Sequence, residues 1–235
     1  ILLTRISVTG AGYVGLITAT CFAERGFTVT LTTHGTERAE KIAKGEPPIY
    51  EPGLEELLKK VVKQGNFACT TDNHRAILDS DITFITSGTP SRESGEIDLT
   101  FIEQVAKEIG FALREKSSYH LIVVKSTVIP GTTMGTVRKT LEEHSCKVAG
   151  KDFGLCMNPE FLKEGSAIWD TYHTDRIVVG GIDERSTAML EEVLRHFYGQ
   201  KCPPILKTNP STAEAIKYAS NAILATKISL INEIA

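Results

Sequence analysis

Three groups of residues in this chain have the types and spacing to do chemistry. The first is Gly10-Ala11-Gly12-Tyr13-Val14-Gly15, a Gly-x-Gly-x-x-Gly between the apolar run Ile6-Ser7-Val8-Thr9 and a helix-like stretch from Leu16 to Ala23. Gly10 permits a tight turn, Gly12 lets backbone approach a pyrophosphate, and Gly15 lets helix and strand pack closely. The free N–H groups and dipole of the first helical turn would then face the anion. Glycines also punctuate ordinary turns; the strand before and the helix after are what select dinucleotide binding. The second group is Glu160 and Glu164, within Asn158-Pro159-Glu160-Phe161-Leu162-Lys163-Glu164-Gly165. Four residues apart, they share a face in any helical turn, where unpaired like charges repel. The plain reading is a solvated acidic face. The sharper one has one carboxylate orienting a substrate while the other assists proton transfer. The third group is Thr127, a hydroxyl at a strand end, with Lys217 and Asn221 at i, i+4. Taken singly, Thr127 reads as a structural cap and the Lys–Asn pair as ordinary surface.

The elements that must position these groups follow in order. Phe27 to Thr33 reads as a second strand, rich in β-branched residues. A dinucleotide fold wants an Asp or Glu near its end, roughly 20 residues past the glycines, to hold the ribose hydroxyls. Here the text is Thr33-His34-Gly35-Thr36, with no carboxylate before Glu37. Thr33 can still bond a ribose hydroxyl without charge, and Arg38 can stack on adenine or meet a 2′-phosphate. NADP, or a relaxed preference, therefore stands beside NAD as cofactor. A helix from Arg38 to Lys44 precedes the stiff Pro47-Pro48-Ile49-Tyr50-Glu51-Pro52-Gly53, read as a loop, and then an amphipathic helix through Leu54, Leu57, Leu58, Val61 and Val62.

Further strands are expected at Cys69–Thr71, Asp81–Thr86, His120–Val124, Asp152–Met157, Arg176–Gly181 and Pro203–Thr208. Small residues at the carboxyl ends of parallel strands, such as Ser87-Gly88-Thr89-Pro90, are where such sheets take ligands. Helices are expected after Asp98, through Met134 to Leu141, and from Ser186 to Phe197. Ser211 with Glu214 gives a capping-box pattern that opens a last helix, continued by Ile216, Ala219, Ile223, Ile228 and Ile231. The fold class is α/β, a doubly wound Rossmann-type, mostly parallel sheet followed by the start of a long central helix. The expected division is 1–208 for the NAD(P)-binding domain and 209–235 for a linker and dimerisation helix.

Composition narrows the partners. Hydrophobic residues make up 41% and charged residues 23%, as in an ordinary globule. A formal net charge of -3 argues against a general nucleic-acid binder. No stretch approaches the roughly 20 apolar residues of a membrane span. The five cysteines (Cys21, Cys69, Cys146, Cys156, Cys202) form no Cys-x-x-Cys pair and no metal spacing, so reduced thiols, a cytoplasmic location and no metal site are expected. The chain lacks an initiator Met and stops at Ala235 inside an apolar, helix-like pattern, so both ends read as cut.

Together these stretches resemble the UDP-glucose/GDP-mannose dehydrogenase family. The matching text is Gly10 to Gly15, Pro48-Ile49-Tyr50-Glu51-Pro52-Gly53-Leu54, Gly88-Thr89-Pro90, Lys125-Ser126-Thr127-Val128, Asn158-Pro159-Glu160-Phe161-Leu162-x-Glu164-Gly165, and Ala213-Glu214-Ala215-Ile216-Lys217-Tyr218-Ala219-Ser220-Asn221-Ala222. The resemblance implies an NAD-dependent, two-step oxidation of a nucleotide sugar's primary alcohol to a carboxylate. UDP-glucose is the implied substrate, from Asp175–Gly180 and Ala213–Ala222, with GDP-mannose as the alternative.

On that resemblance Gly10, Ala11, Gly12, Tyr13, Val14 and Gly15 hold the pyrophosphate. Thr33, Arg38, Gly88, Thr89 and Pro90 line the adenosine side, and Ser126 and Thr127 approach the nicotinamide. Glu160, Phe161, Leu162, Lys163 and Glu164 meet the substrate, with Glu164 between it and the cofactor. Thr127 and Glu160 position or deprotonate groups near the reacting carbon, while Lys217 and Asn221 stabilise oxyanion character. A homodimer through the last helix is also implied. The family's nucleophilic cysteine lies in a glycine-rich segment beyond that helix, which this chain does not contain, and the family's C-terminal sugar-nucleotide domain is likewise absent. Without that thiol to trap an aldehyde, the chain is expected to bind cofactor without completing the reaction. Two other readings stand beside this one: a one-step hydroxy-acid dehydrogenase, and a non-catalytic nucleotide-binding module.

Overall fold

Short β-branched runs alternate with amphipathic runs along the chain, and the computed structural model, which describes residues 4–235, folds them as a layered α/β sheet. The elements are β1 (Arg5–Thr9), α1 (Tyr13–Glu24), β2 (Thr28–Thr32), α2 (Thr36–Ala43), α3 (Leu54–Gln64), β3 (Phe67–Thr70), α4 (Asn73–Leu78), β4 (Ile82–Ile85), α5 (Thr100–Glu115) and β5 (Leu121–Val124). A π-helical turn over Thr133–Val137 then runs into α6 (Arg138–Ser145). They are followed by β6 (Gly154–Met157), α7 (Ala167–Tyr172), β7 (Ile177–Gly181), α8 (Glu184–Tyr198), β8 (Ile205–Thr208) and α9 (Pro210–Ile234).

The strand order is β3-β2-β1-β4-β5-β6-β7-β8. Every neighbouring pair is parallel except β6 and β7, which meet antiparallel with Met157 opposite Gly180. From β1 the chain winds outward to β2 and β3, then returns to lay β4 on the other side of β1. The crevice for a ligand opens at that reversal, outside the strands' carboxyl ends.

Helices cover both faces, so the central strands are buried throughout their length. The two-residue period of a strand divides their side chains between two apolar layers. Leu121 and Val123 pack with Leu16, Leu58 and Leu194 of α1, α3 and α8. Ile122 and Val124 pack with Ile109, Leu141 and Ala213 of α5, α6 and α9.

Four local expectations need correction. Asn158 to Lys163 is irregular chain rather than helix, so Glu160 and Glu164 do not share a helical face. The last helix is capped by Asn209, whose side chain accepts from the Thr212 N–H at 2.9 Å, with Pro210 at its first position. Ser211 is therefore not the cap, and Glu214 has other partners. Asp98 stands one residue before the cap position of α5, although its carboxylate does accept from the Thr100 N–H at 3.0 Å. Finally, α4 and α7 have no counterpart among the expected elements; Asp72 starts α4 by accepting from the Arg75 N–H at 2.8 Å. Among the described residues no helix is long and apolar enough to cross a membrane, and no cluster of three or more His, Cys, Asp or Glu could hold a metal.

Candidate active site

The glycine turn is built as its residue types require. Gly10 has φ +103°, a backbone conformation that side chains resist, and its N–H donates to the Thr32 carbonyl at 3.0 Å. At Gly15 a β-carbon would lie 1.8 Å from the Gly10 carbonyl oxygen, so only hydrogen fits between helix and turn. Gly12 caps α1 without any side-chain acceptor, which leaves the first-turn N–H groups facing the crevice.

Beside this turn lies a cleft of about 510 Å³, bordered by Gly10, Ala11, Gly12, Thr33, Arg38 and Gly88. An open, amide-rich mouth next to a cleft of that size fits a dinucleotide: Gly10, Ala11 and Gly12 would hold its diphosphate, and Thr33 and Arg38 its adenosine end.

The other expected cofactor residues do not border this cleft. Tyr13 turns its phenol to the Glu51 carboxylate, and its ionisation is pushed up by burial and by that bond. Val14 is half-buried on α1, and Gly15 serves packing. Ser126 spends its hydroxyl on the Ile85 and Ser87 carbonyls at 3.3 and 2.7 Å, tying two strand-end loops together. Thr89 donates to the Thr127 carbonyl at 2.8 Å, and the Pro90 carbonyl accepts from Asp98 N–H at 2.7 Å. Thr127 itself is half-buried, and its hydroxyl has no hydrogen-bond partner among the described residues.

A second cluster gathers where β5 and β6 end. Lys217 of α9 is 4% exposed, not the surface residue that its sequence context suggests, and its Nζ lies 2.9 Å from Glu160 Oε1. Glu160 Oε2 accepts from the Leu162 N–H at 2.6 Å. The Phe161 ring meets two cations, with the Arg176 guanidinium 4.8 Å and Lys217 Nζ 5.4 Å from its centroid. Asn221, one turn further along α9, is exposed, as is Glu164. Lys163 is exposed too, 3.8 Å from Asp170. The structure thus brings together Glu160, Phe161 and Lys217, and leaves Lys163, Glu164 and Asn221 at the open side.

Three residues that sequence reasoning passed over hold this cluster in place. Lys125 donates to Asn158 Oδ1 at 3.1 Å, and Asn158 Nδ2 donates to the Val178 carbonyl at 2.8 Å, so one amide links β5, β6 and β7. The Lys125 residue is half-buried but its ammonium is enclosed, and burial pushes its pKa down to about 8, against the pull of Glu160. With Asn158, Glu160 and Phe161 it borders a cavity of about 60 Å³. Glu51 accepts from the Gly165 and Ala167 N–H groups at 2.8 Å each, anchoring the far end of the Glu160 segment as well as Tyr13. Glu214, fully buried, accepts from Gly131 and Thr133 N–H at 2.6 and 2.7 Å and so clamps α9 to the loop that follows Thr127. All three stand inside the motifs quoted above, but a lone Lys, Glu or Glu gives no local signal of what it will reach across the fold.

Comparison with known proteins agrees with this geometry. Residues 4–198 match the UDP-glucose/GDP-mannose dehydrogenase family, NAD binding domain, and residues 211–235 match the central domain of the same family. GDP-mannose 6-dehydrogenase of Pseudomonas aeruginosa is 44% identical over 230 residues, 98% of this chain and 52% of that protein. A UDP-glucose 6-dehydrogenase of Bacillus subtilis is 43% identical over 231 residues, 98% of this chain and 48% of that protein. A crystal structure of a ternary complex of GDP-mannose dehydrogenase from Pseudomonas aeruginosa superposes with a TM-score of 0.95 at 44% identity, covering 98% of this chain and 52% of that one. The chain spans about half the length of these relatives. With a domain match running from Thr4 to Tyr198, the chain belongs to the UDP-glucose/GDP-mannose dehydrogenase family.

Proposed function

We propose that this chain is the cofactor-binding and part of the catalytic machinery of an NAD-dependent dehydrogenase that oxidises the primary alcohol of a nucleotide sugar. The observation that carries this reading is the Lys217–Glu160 ion pair at the carboxyl ends of β5 and β6, on the same edge of the sheet as the amide-rich glycine turn that follows β1. When bound, the dinucleotide supplies the acceptor for the hydride that leaves the alcohol carbon. The alcohol proton goes to the Glu160 carboxylate, directly or through a water that Glu160 and the unpartnered Thr127 hydroxyl hold. Lys217 faces the developing alkoxide as a fixed positive charge in a site largely closed to water. Asn221, exposed on the same face one turn away, adds a neutral donor to the same oxygen. Phe161, Leu162, Lys163 and Glu164 line the substrate's path, with Glu164 towards the cofactor.

UDP-glucose is the first substrate to assay, and GDP-mannose the alternative that the Pseudomonas aeruginosa relative favours. The second oxidation, from aldehyde to acid, calls for a thiol nucleophile. No cysteine borders either cavity, and Cys156, the nearest in sequence, is fully buried with its thiol pKa pushed up by burial. We therefore expect the 235-residue chain to bind cofactor without releasing acid. The apolar stripe of α9, with Ile223, Ile228, Ile231 and Ile234 exposed, supports a homodimer through that helix. Size exclusion at several concentrations tests the dimer.

Calorimetric titration with NAD, UDP-glucose and GDP-mannose tests the main reading, alongside an assay for uronic acid. Dinucleotide binding that Gly12→Asp abolishes is expected. Acid formation by the chain alone would overturn the account of the missing thiol, and no dinucleotide binding at all would overturn the whole reading.

A further inference from the structure

The parallel ladder brings the end of β3 beside the end of β2. Thr32 stands opposite Thr70, and the Thr33 N–H donates to the Thr70 carbonyl at 3.1 Å, so the ladder runs one residue past β2. Thr71 is thereby held next to Thr33 on a chain about 4.8 Å away, and Asp72 is the residue that follows. Asp72, Thr33 and Arg38 all border the same cleft.

A dinucleotide cleft holds the hydroxyls of the adenosine ribose with a carboxylate, ordinarily one near the end of the second strand. Here that strand runs into Thr33 and His34, which carry none, and Glu37 lies off the cleft, paired with Lys41 at 2.7 Å. Two carboxylates do border the cleft, and they differ in what they have left to give. Glu108 spends both oxygens, accepting from Asn73 Nδ2 at 2.7 Å and from Gln104 Nε2 at 3.4 Å. Asp72 spends one. Its Oδ1 accepts from the Arg75 N–H at 2.8 Å to cap α4, while Oδ2 has no hydrogen bond or ion pair among the described residues.

The backbone under Asp72 is held in place. Its own N–H donates to Thr70 Oγ1 at 3.1 Å, and the Asn73 N–H donates to the Thr71 carbonyl at 3.2 Å. Asn73 Oδ1 then ties this turn to β2 by accepting from Thr32 Oγ1 at 3.0 Å. An exposed carboxylate on a fixed turn, one residue past the neighbour of Thr33, is a preset acceptor for a diol.

We propose that Asp72 is the acid that holds the adenosine ribose in this chain, supplied from the end of β3 in place of the one that β2 lacks. The inference rests on the dinucleotide-cleft reading above and concerns only which side chain meets the ribose. Asp72 Oδ2 accepts from the ribose hydroxyls, Thr33 adds a neutral partner, and Arg38 is left to stack on the adenine. A phosphate on the 2′-oxygen would bring its charge against the same carboxylate, so loss of that carboxylate shifts preference towards the 2′-phosphorylated dinucleotide.

The test is a calorimetric titration of the wild-type protein, Asp72→Asn and Asp72→Ser with ADP, 2′,3′-dideoxy-ADP, NAD and NADP. Asn and Ser both cap helices, so α4 keeps its start while the charge is lost, and urea unfolding checks that the variants stay folded. The wild type is expected to bind ADP about tenfold more tightly than the dideoxy probe. In both variants that preference shrinks to about twofold or less, the dideoxy probe binds as before, and NADP gains on NAD. Adding Thr33→Asp to Asp72→Asn returns an acid to β2 and restores most of the ADP preference. An ADP preference that keeps its wild-type value in both variants, whether or not both affinities fall, overturns the proposal and leaves the dinucleotide cleft standing. Binding of neither dinucleotide by the wild type overturns the cleft reading itself, and this inference with it.

Discussion

Two walls at the carboxyl edge of the sheet are made of different material. On the β1–β2 side, binding capacity comes from backbone: a positive-φ glycine, an uncapped helix start, and a glycine that admits no β-carbon. On the β5–β6 side it comes from side chains delivered by distant parts of the chain, Lys125, Asn158, Glu160 and Lys217, closed by a salt bridge in the interior. The first wall is rigid because it has no alternative conformation. The second is rigid only while every charge keeps its partner, since a buried ion left alone costs far more than a pair contributes.

That contrast can be broken from either side. The largest effect is expected from Gly15→Ala, where the added carbon would overlap the Gly10 carbonyl at 1.8 Å. Destabilisation of about 4 kcal/mol or more, read from urea unfolding, should come with loss of dinucleotide binding. An Ala variant with normal stability and affinity would show the turn is not the rigid wall described.

Next is Lys217→Met, which strands Glu160. A loss of about 4 kcal/mol is expected, and much of it should return in the Lys217→Met, Glu160→Leu double variant. Additive losses in that cycle would mean the two groups are not coupled.

Lys125 gives a pH signature instead. Its pKa in the folded chain is about 8, below the 10.5 of an unperturbed lysine, so the unfolded state binds more protons between those values. Stability contributed by this site should therefore rise as pH climbs from about 8 towards 10.5, by up to about 3 kcal/mol, and Lys125→Met should remove the slope. Identical slopes in the two proteins would place the ammonium in water.

The smallest effect is Glu51→Gln. One of the Gly165 and Ala167 N–H groups would face an amide N–H rather than an oxygen, at a cost of about 2 kcal/mol. The loss of affinity, read by calorimetric titration, should fall mainly on the sugar nucleotide, because the Glu160 segment loosens while the glycine turn does not. A matched loss for both ligands would mean that Tyr13 carries the effect to the turn as well.

Legibility in the sequence divides along the same line. The glycine turn is local: six consecutive residues contain the strand end, the turn and the helix start, so their types are enough. The α/β alternation is legible for the same reason. The Glu160–Glu164 pair misleads because i, i+4 spacing has meaning only on a helix, and Pro159 opens an irregular segment instead. The Ser211–Glu214 pattern misleads because Pro210 moves the cap back to Asn209, and Glu214 is drawn to N–H groups 83 and 81 residues away. Lys217 looks like surface until β8 and α9 are in place above Glu160. No nearest-neighbour rule contains that distance, and none announces the reversal of β7.

The clamp at Glu214 also divides α9 mechanically. The helix is 25 residues long, but its buried residues (Pro210, Ala213, Glu214 and Lys217) all lie within its first eight. Taking Glu214 as fulcrum, a swing of about 10° would carry Ile234 through about 5 Å while Lys217 moves less than about 1 Å, at 1.5 Å rise per residue. The overhang is the long arm and Lys217 rides the short one. Motion taken up outside reaches the Lys217–Glu160 pair geared down several-fold.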